Sequence, residues 1–232
     1  MKIDGVYQLP EEVLSKPSNE RFNYIFETGL WARSTGGESV SGAGSTMQNT
    51  EIYREQMRHF LSSNNNNKFK FFDAPCGDLN WVTEFFDSVE YIGGDISDKL
   101  IEKLSNEYPN LDLRSFDITR DTFPDADIWH CRHCLFHLSL EDIYLALKNF
   151  CSSKVPFALI TNHFLPDKIT FDIPTGSFRF LDLKNFPFYF PEPKLWLFDS
   201  NPSDGKMPLA SGLWTRENIQ NALENYVKNI GQ

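Results

Sequence analysis

Two aspartates stand where a carboxylate can grip a nucleoside. Asp73 closes the apolar run Phe69–Asp73 and opens Asp73-Ala74-Pro75-Cys76-Gly77-Asp78, and Asp95 closes Tyr91-Ile92-Gly93-Gly94-Asp95. Parallel α/β sheets bind ligands outside the carboxyl ends of their strands, and an acid about twenty residues after the first turn accepts both hydroxyls of a ribose. Aspartate also caps helices, but matched positions after two consecutive strands favour the ligand. Gly77 lets the backbone come close to that ligand, and the amides of a following helix are expected to point at it. A dinucleotide site needs three glycines in G-x-G-x-x-G so that a pyrophosphate can lie on the turn, whereas DAPCGD holds a single one. An acid at the end of the first strand opposes a pyrophosphate and suits a cofactor with a sulfonium and an ammonium group. The charge logic selects S-adenosylmethionine over NAD.

A second cluster is His130-Cys131-Arg132-His133-Cys134-Leu135-Phe136-His137. Thiolates and imidazoles suit zinc, but no second cysteine pair completes a site and alternate residues of a strand face opposite ways, so no metal is expected. Imidazole titrates closest to neutrality, which makes His133 and His137 candidates to take a proton from an acceptor hydroxyl. Arg132, His163 and Arg179, on expected loops, are candidates to bind an anionic acceptor. Cys76 reads as a small buried residue rather than a nucleophile.

The elements that must position these groups follow from hydrophobic period. Phe22, Ile25, Phe26 and Leu30 recur at helical spacing behind the possible caps Ser18 and Asn19. Ser34 to Thr46, STGGESVSGAGST, reads as a flexible loop, and Tyr53, Met57, Phe60 and Leu61 mark a second helix that stops at Asn64-Asn65-Asn66-Asn67. Beyond Lys68, short apolar runs alternate with helical stretches, the pattern of βαβ units. Strands are predicted at Phe69 to Asp73, Tyr91 to Asp95, Leu111 to Phe116, Asp127 to Cys131 and Val155 to Thr161. Between them fall a helix with Trp81, Val82, Phe85, Phe86 and Val89 on one face, one capped by Ser97, and one opened by a Ser139/Asp142 capping box. The phenylalanine- and proline-dense stretch after His163 predicts irregular structure with a possible hairpin. Thr215 caps a last helix with Ile219, Leu223, Tyr226 and Ile230 inward.

Composition narrows the field. With 22 basic and 32 acidic residues the net charge is -10, which repels a phosphate backbone, so nucleic acid is not an expected partner. No apolar run is long enough to cross a bilayer, and Met1-Lys2-Ile3-Asp4 lacks the start of a secretory signal. Four irregularly spaced cysteines do not form a disulfide framework, which fits a cytoplasmic protein.

The segments FFDAPCGDLNWV, YIGGDIS, SFDIT and ADIWHCRHCLFHLS resemble, in order, the motifs of class I S-adenosylmethionine-dependent methyltransferases. The resemblance spans Phe69 to Thr161. It implies that Asp73 to Asp78 surround the methionine part, Asp95 with Ile96 holds the ribose, Asp117 and Ile118 flank the adenine, and Cys131 and Arg132 lie beside the methyl group. The family pattern slightly favours His137 over His133 as base. DAPCGD departs from the commoner acid-x-G-x-G-x-G. SGAGST and the later GLW resemble, more loosely, a bacterial subgroup found with surface-polysaccharide biosynthesis. The expectation is a Rossmann-like, mostly parallel α/β sheet with helices on both faces. A helical leader (1–67) precedes a core (68–232) whose acceptor lobe begins at about 163. The expected activity is O-methylation of a small acceptor, such as a sugar or a phosphorylated or nucleotide-linked metabolite. An NAD(P)-dependent oxidoreductase and a non-catalytic nucleoside-binding module are the rivals.

Overall fold

The computed structural model describes residues 9–63, 68–165, 170–200 and 208–230. The asparagine linker 64–67 and the side chain of Ile230 lie outside the described residues. Among the described residues seven strands run β1 (Phe69–Asp73), β2 (Val89–Asp95), β3 (Asp112–Ser115), β4 (Ile128–Cys131), β5 (Phe157–His163), β6 (Trp196–Phe198) and β7 (Leu209–Thr215). Their order across the sheet is β3-β2-β1-β4-β5-β7-β6, with β3 to β5 pairing in parallel and β7 antiparallel to both β5 and β6. The direction of winding reverses between β1 and β4, and ligand sites of such sheets lie at that point.

Side-chain alternation splits the core in two. Phe72, Trp129, Ala158 and Ile160 pack with α5 (Leu140–Ser152) and α6 (Arg216–Ile230), and Phe71, Tyr91, Ile128 and Leu159 pack on the other face with α3 (Glu51–Ser62) and α4 (Asp98–Glu107). Fully buried residues such as Trp129, Phe72 and Phe150 each stabilise the fold by roughly 1.5–3 kcal/mol relative to exposure. The leader belongs to the same cores, because Tyr53, Met57 and Leu61 of α3 are buried against Phe71 and Trp81. Among the described residues no helix is long and apolar enough to cross a membrane.

Several local expectations need correction. No full helix follows β1. Trp81, Val82 and Phe85 are buried as predicted, but the chain forms one 3-10 turn, Val82–Phe85, and Val89 already begins β2. The cover over that part of the sheet comes partly from α3, whose Arg54 and Arg58 both pair with Glu84. The helix amides expected to face a ligand there are therefore missing. Ser18 is the first residue of α2 (Ser18–Glu27), behind Pro17, and makes no capping bond. Ser97 and Ser139 do cap, accepting from Leu100 N at 3.3 Å and Asp142 N at 3.1 Å, although the Asp142 carboxylate takes the Thr175 hydroxyl instead of closing a capping box. Thr215 Oγ1 accepts from Asn218 N at 3.1 Å, which starts α6 where expected. The aromatic stretch does contain a hairpin strand, β6, paired to β7.

Candidate active site

At the carboxyl end of β1 a buried hydrogen-bond chain fixes Asp73. Strand register places Asp73 beside His130 of β4, and side chains at matched positions of adjacent strands face the same way. His130 Nδ1 is 2.6 Å from Asp73 Oδ1, Tyr91 donates its hydroxyl to Asp73 Oδ2 at 2.7 Å, and Tyr53 Oη is 2.9 Å from His130 Nε2. One proton assignment satisfies every group: Nδ1–H donates to the carboxylate and the Tyr53 hydroxyl donates to Nε2. Burial raises the pKa of both tyrosines, which keeps them as donors. Tyr53, Tyr91 and His130 were not singled out from sequence. The doubly wound strand order, which makes β1 and β4 neighbours, is the signal that points to His130.

Asp95 ends β2 eighteen residues after Gly77 and ties the two strand tips together. Its Oδ2 accepts from Gly77 N at 3.2 Å and its Oδ1 from Ser97 N at 2.9 Å. Burial raises its pKa to about 6, against the lowering effect of those two N–H groups. Asp117 follows β3 and holds Thr119 through N–H and hydroxyl, at 2.9 and 2.6 Å.

These acids line a cavity of about 140 Å³ together with Pro75, Cys76, Gly77, Ile96, Ile118 and Arg132. Its outer wall comes from the leader, through Phe22, Ile25 and Trp31. The serine and glycine segment also takes part and is held in place, contrary to the expected free loop. Asp78 accepts from Ser39 Oγ at 2.8 Å and Val40 N at 2.6 Å, and donates its own N–H to Ser41 Oγ at 2.9 Å. Gly77 sits in this clasp at φ +56°, and a Cβ there would lie 2.5 Å from Ser41 Oγ. The departure from the commoner glycine pattern is thus matched by a second contact that requires glycine.

Three expected cofactor residues do not reach the cavity. Asp78 serves the clasp, and Cys131, one residue after His130 on β4, is turned by strand alternation into the hydrophobic core. Ala74 likewise packs in that core. Burial raises the Cys76 and Cys131 thiols well above their usual range, which keeps them protonated and poor nucleophiles.

Arg132 is buried across the rings of Tyr53 and Trp81, at 4.8 and 5.0 Å from their centroids. Its Nε donates to Asp199 Oδ1 at 2.9 Å, and its Nη2 donates to Asp199 and to the Gly44 carbonyl. Asp199, 67 residues along the chain, left no local trace in the sequence. Burial pushes its carboxyl up, but Arg132 and His133 outweigh that and hold it at about 2. His133 adopts φ +52°, sparsely populated for a side chain of this kind. Its Nε2 lies 3.2 Å from Asp199 Oδ1, and a Cβ on Gly44 would fall 2.3 Å from its Nδ1.

A second, wider cavity of about 540 Å³ adjoins the first, and Trp31, Ser41, His133 and His137 line both. His137 stacks on Trp31 at 4.6 Å, and its Nδ1 donates to the Ser177 carbonyl at 2.8 Å. Burial lowers its pKa to about 3. His163, the last residue of β5 and not a loop residue, lines the second cavity, accepts from Leu181 N at 3.2 Å, and is lowered by burial to about 4. Arg179 lines neither cavity. It is fully buried, donates to the Leu138 carbonyl, and is lowered by burial to about 10, which does not match a loop cation facing an acceptor.

Strand order and the site at the β1/β4 reversal define a Rossmann-like, mostly parallel α/β fold. The fold is shared with the 1,6-didemethyltoxoflavin-N1-methyltransferase of Burkholderia thailandensis, solved with 1,6-didemethyltoxoflavin and S-adenosylhomocysteine, at 10% identity and TM-score 0.58 over 93% of this chain and 96% of that one. It is shared also with the magnesium protoporphyrin IX methyltransferase of Synechocystis PCC 6803, solved with S-adenosylmethionine, at 14% identity and TM-score 0.55 over 86% and 98%. No protein-family model matches the chain, and no curated protein matches it by sequence.

Proposed function

We propose that the chain is a methyltransferase that binds S-adenosylmethionine in the first cavity and methylates a small molecule seated in the second. One observation carries this reading. Among the described residues Asp73, Asp95, Asp117 and Asp142 line the first cavity, and its one guanidinium, Arg132, is already paired with Asp199. A lining with that balance favours a cation and repels a pyrophosphate. It therefore supports S-adenosylmethionine over a nicotinamide dinucleotide, and both solved relatives of the fold hold S-adenosylmethionine or its product. Asp95, with two carboxylate oxygens facing donors, suits the ribose hydroxyls; Asp117 and Ile118 suit the adenine end.

When bound, the cofactor supplies a methyl group already activated by its sulfonium. The chain's part is to align the acceptor, exclude water and take a proton. Phe22, Ile25 and Trp31 close the cavity from outside. Of the two candidate bases, His133 is better placed for an acceptor hydroxyl. Its Nε2 lies 3.2 Å from Asp199 Oδ1, a carboxylate that stabilises a developing positive charge on the ring, and Nδ1 packs against Gly44. Burial lowers both imidazoles, but Asp199 works against that lowering at His133, whereas His137, near 3, holds a proton too weakly to help at neutral pH.

The expected anionic acceptor finds little support from the residues named for it: Arg132 is neutralised, Arg179 is buried away from the cavity, and His163 lines the second cavity but is lowered to about 4 and so carries no charge at neutral pH. Neither solved relative bears on a link to surface polysaccharide. A crystal of the protein grown with S-adenosylhomocysteine tests the assignment. The reading expects the adenosyl group between Asp95 and Asp117 with the ribose on Asp95, and a ligand bound elsewhere would overturn it.

A further inference from the structure

The second cavity has a composition that selects among acceptors. Its walls are aromatic and aliphatic, with Trp31, Phe136, Phe178, Leu30 and Leu209, and among the described residues it is lined by no carboxylate, carboxamide or lysine. Its one arginine, Arg33, is exposed. Three imidazoles supply most of the remaining polarity. All three have pKa values lowered by burial, to about 3 for His137 and about 4 for His163, so they are uncharged at neutral pH.

Those imidazoles have distinct hydrogen-bond roles. His137 donates through Nδ1 to Ser177 O, so its Nε2 carries a lone pair; His163 accepts through Nδ1 from Leu181 N, so its Nε2 carries a proton. Neither Nε2 has a hydrogen-bond partner among the described residues. Beside the exposed Arg33 and the hydroxyls of Ser34 and Ser41, the cavity therefore offers one imidazole acceptor and one imidazole donor amid flat apolar walls. A sugar presents hydroxyls on every side and needs several carboxylate or amide partners, and a phosphate needs cations. A flat ring gains from edge and face contacts with aromatic side chains and loses little.

We propose that the acceptor is an uncharged, planar aromatic or heteroaromatic molecule with a ring O–H or N–H, seated in the cavity formed by Trp31, Phe136, Phe178 and His163. The inference rests on the methyltransferase reading, since His133 and His137 link this cavity to the first.

The test is saturation-transfer NMR with two probes, 2-naphthol and glucose 1-phosphate, on the protein with and without S-adenosylhomocysteine. Binding of S-adenosylhomocysteine is measured separately by calorimetry. The expected result is binding of 2-naphthol and none of glucose 1-phosphate. Phe178→Ala weakens 2-naphthol at least tenfold and leaves S-adenosylhomocysteine affinity within threefold, because Phe178 lines only the second cavity. Leu209→Trp, which fills that cavity from β7, is the second variant and blocks 2-naphthol in the same way. Binding of glucose 1-phosphate without 2-naphthol, or 2-naphthol binding indifferent to both substitutions, overturns the inference. Absence of S-adenosylhomocysteine binding instead overturns the methyltransferase reading, and the NMR on the unliganded protein still reports on the cavity.

Discussion

Asp95 at the tip of β2 accepts the backbone N–H of Gly77 in the turn after β1, at 3.2 Å. The bond joins the two carboxylate-bearing strand ends across one cavity. Burial raises Asp95 to about 6, and on the proposed reading cofactor affinity is expected to depend on its ionisation, since a carboxylate accepts from ribose hydroxyls and the acid accepts poorly. Calorimetry with S-adenosylhomocysteine is expected to show affinity rising as pH passes upward through about 6. Asp95→Ala is expected to weaken binding by about tenfold to a hundredfold, from a loss of ~1.5–3 kcal/mol for hydrogen bonds to a charged group, and to flatten that pH dependence. Undiminished affinity in the variant removes the ribose assignment.

Acid stability follows from the buried imidazoles. His137 and His163 titrate at about 3 and about 4 in the folded chain and near 6.5 when unfolded. The unfolded state thus binds more protons between those values, and stability falls as pH drops below about 6.5. Asp95 works in the opposite direction between its ordinary value of 3.8 and about 6, which offsets part of the loss. The thermal midpoint is expected to be lower at pH 5 than at pH 7, with the slope reduced in His137→Phe. A midpoint independent of pH in this range contradicts the buried, neutral imidazoles.

Asp73 holds His130 and Tyr91 in a buried site. Asp73→Asn keeps the shape but turns one oxygen into a donor facing N–H or O–H groups that already donate. The expected cost is about 2 kcal/mol, measured by urea denaturation, and Tyr91→Phe in the same background is expected to recover part of it. Full stability in Asp73→Asn would show that the chain of hydrogen bonds carries no weight.

Gly44 meets the His133 ring. A Cβ there would lie 2.3 Å from Nδ1, so Gly44→Ala is expected to displace the imidazole and lower stability by ~1–3 kcal/mol, as overpacking does. Histidine NMR should show the His133 signals moved and S-adenosylhomocysteine affinity within threefold. Unmoved His133 signals would place the ring away from Gly44.

Strand alternation made much of this fold readable. Phe69–Asp73 coincides with β1, and the acids at the tips of β1 and β2 line one cavity as their positions required. The helix predicted over Trp81 to Val89 failed because burial, which sequence period does reveal, does not specify which element supplies the cover; α3 shares that task. The Arg132–Asp199 pair and the Ser39, Ser41 and Asp78 clasp link residues far apart in sequence, and no local pattern encodes such contacts. Glycine density in SGAGST was a signal of close approach, seen in Gly44 against His133, but it reads equally as looseness until the partner is known. Strands β6 and β7 were obscured by aromatic density and by glycine at Gly212.

The central claim is that acids at neighbouring strand tips receive an adenosine-bearing cation. Isothermal titration of the protein with S-adenosylmethionine and, separately, with NADH at pH 7.5 tests it most directly. One equivalent of S-adenosylmethionine is expected to bind, more tightly than in Asp95→Ala, with no heat from NADH. Saturable binding of NADH with none of S-adenosylmethionine would contradict the account.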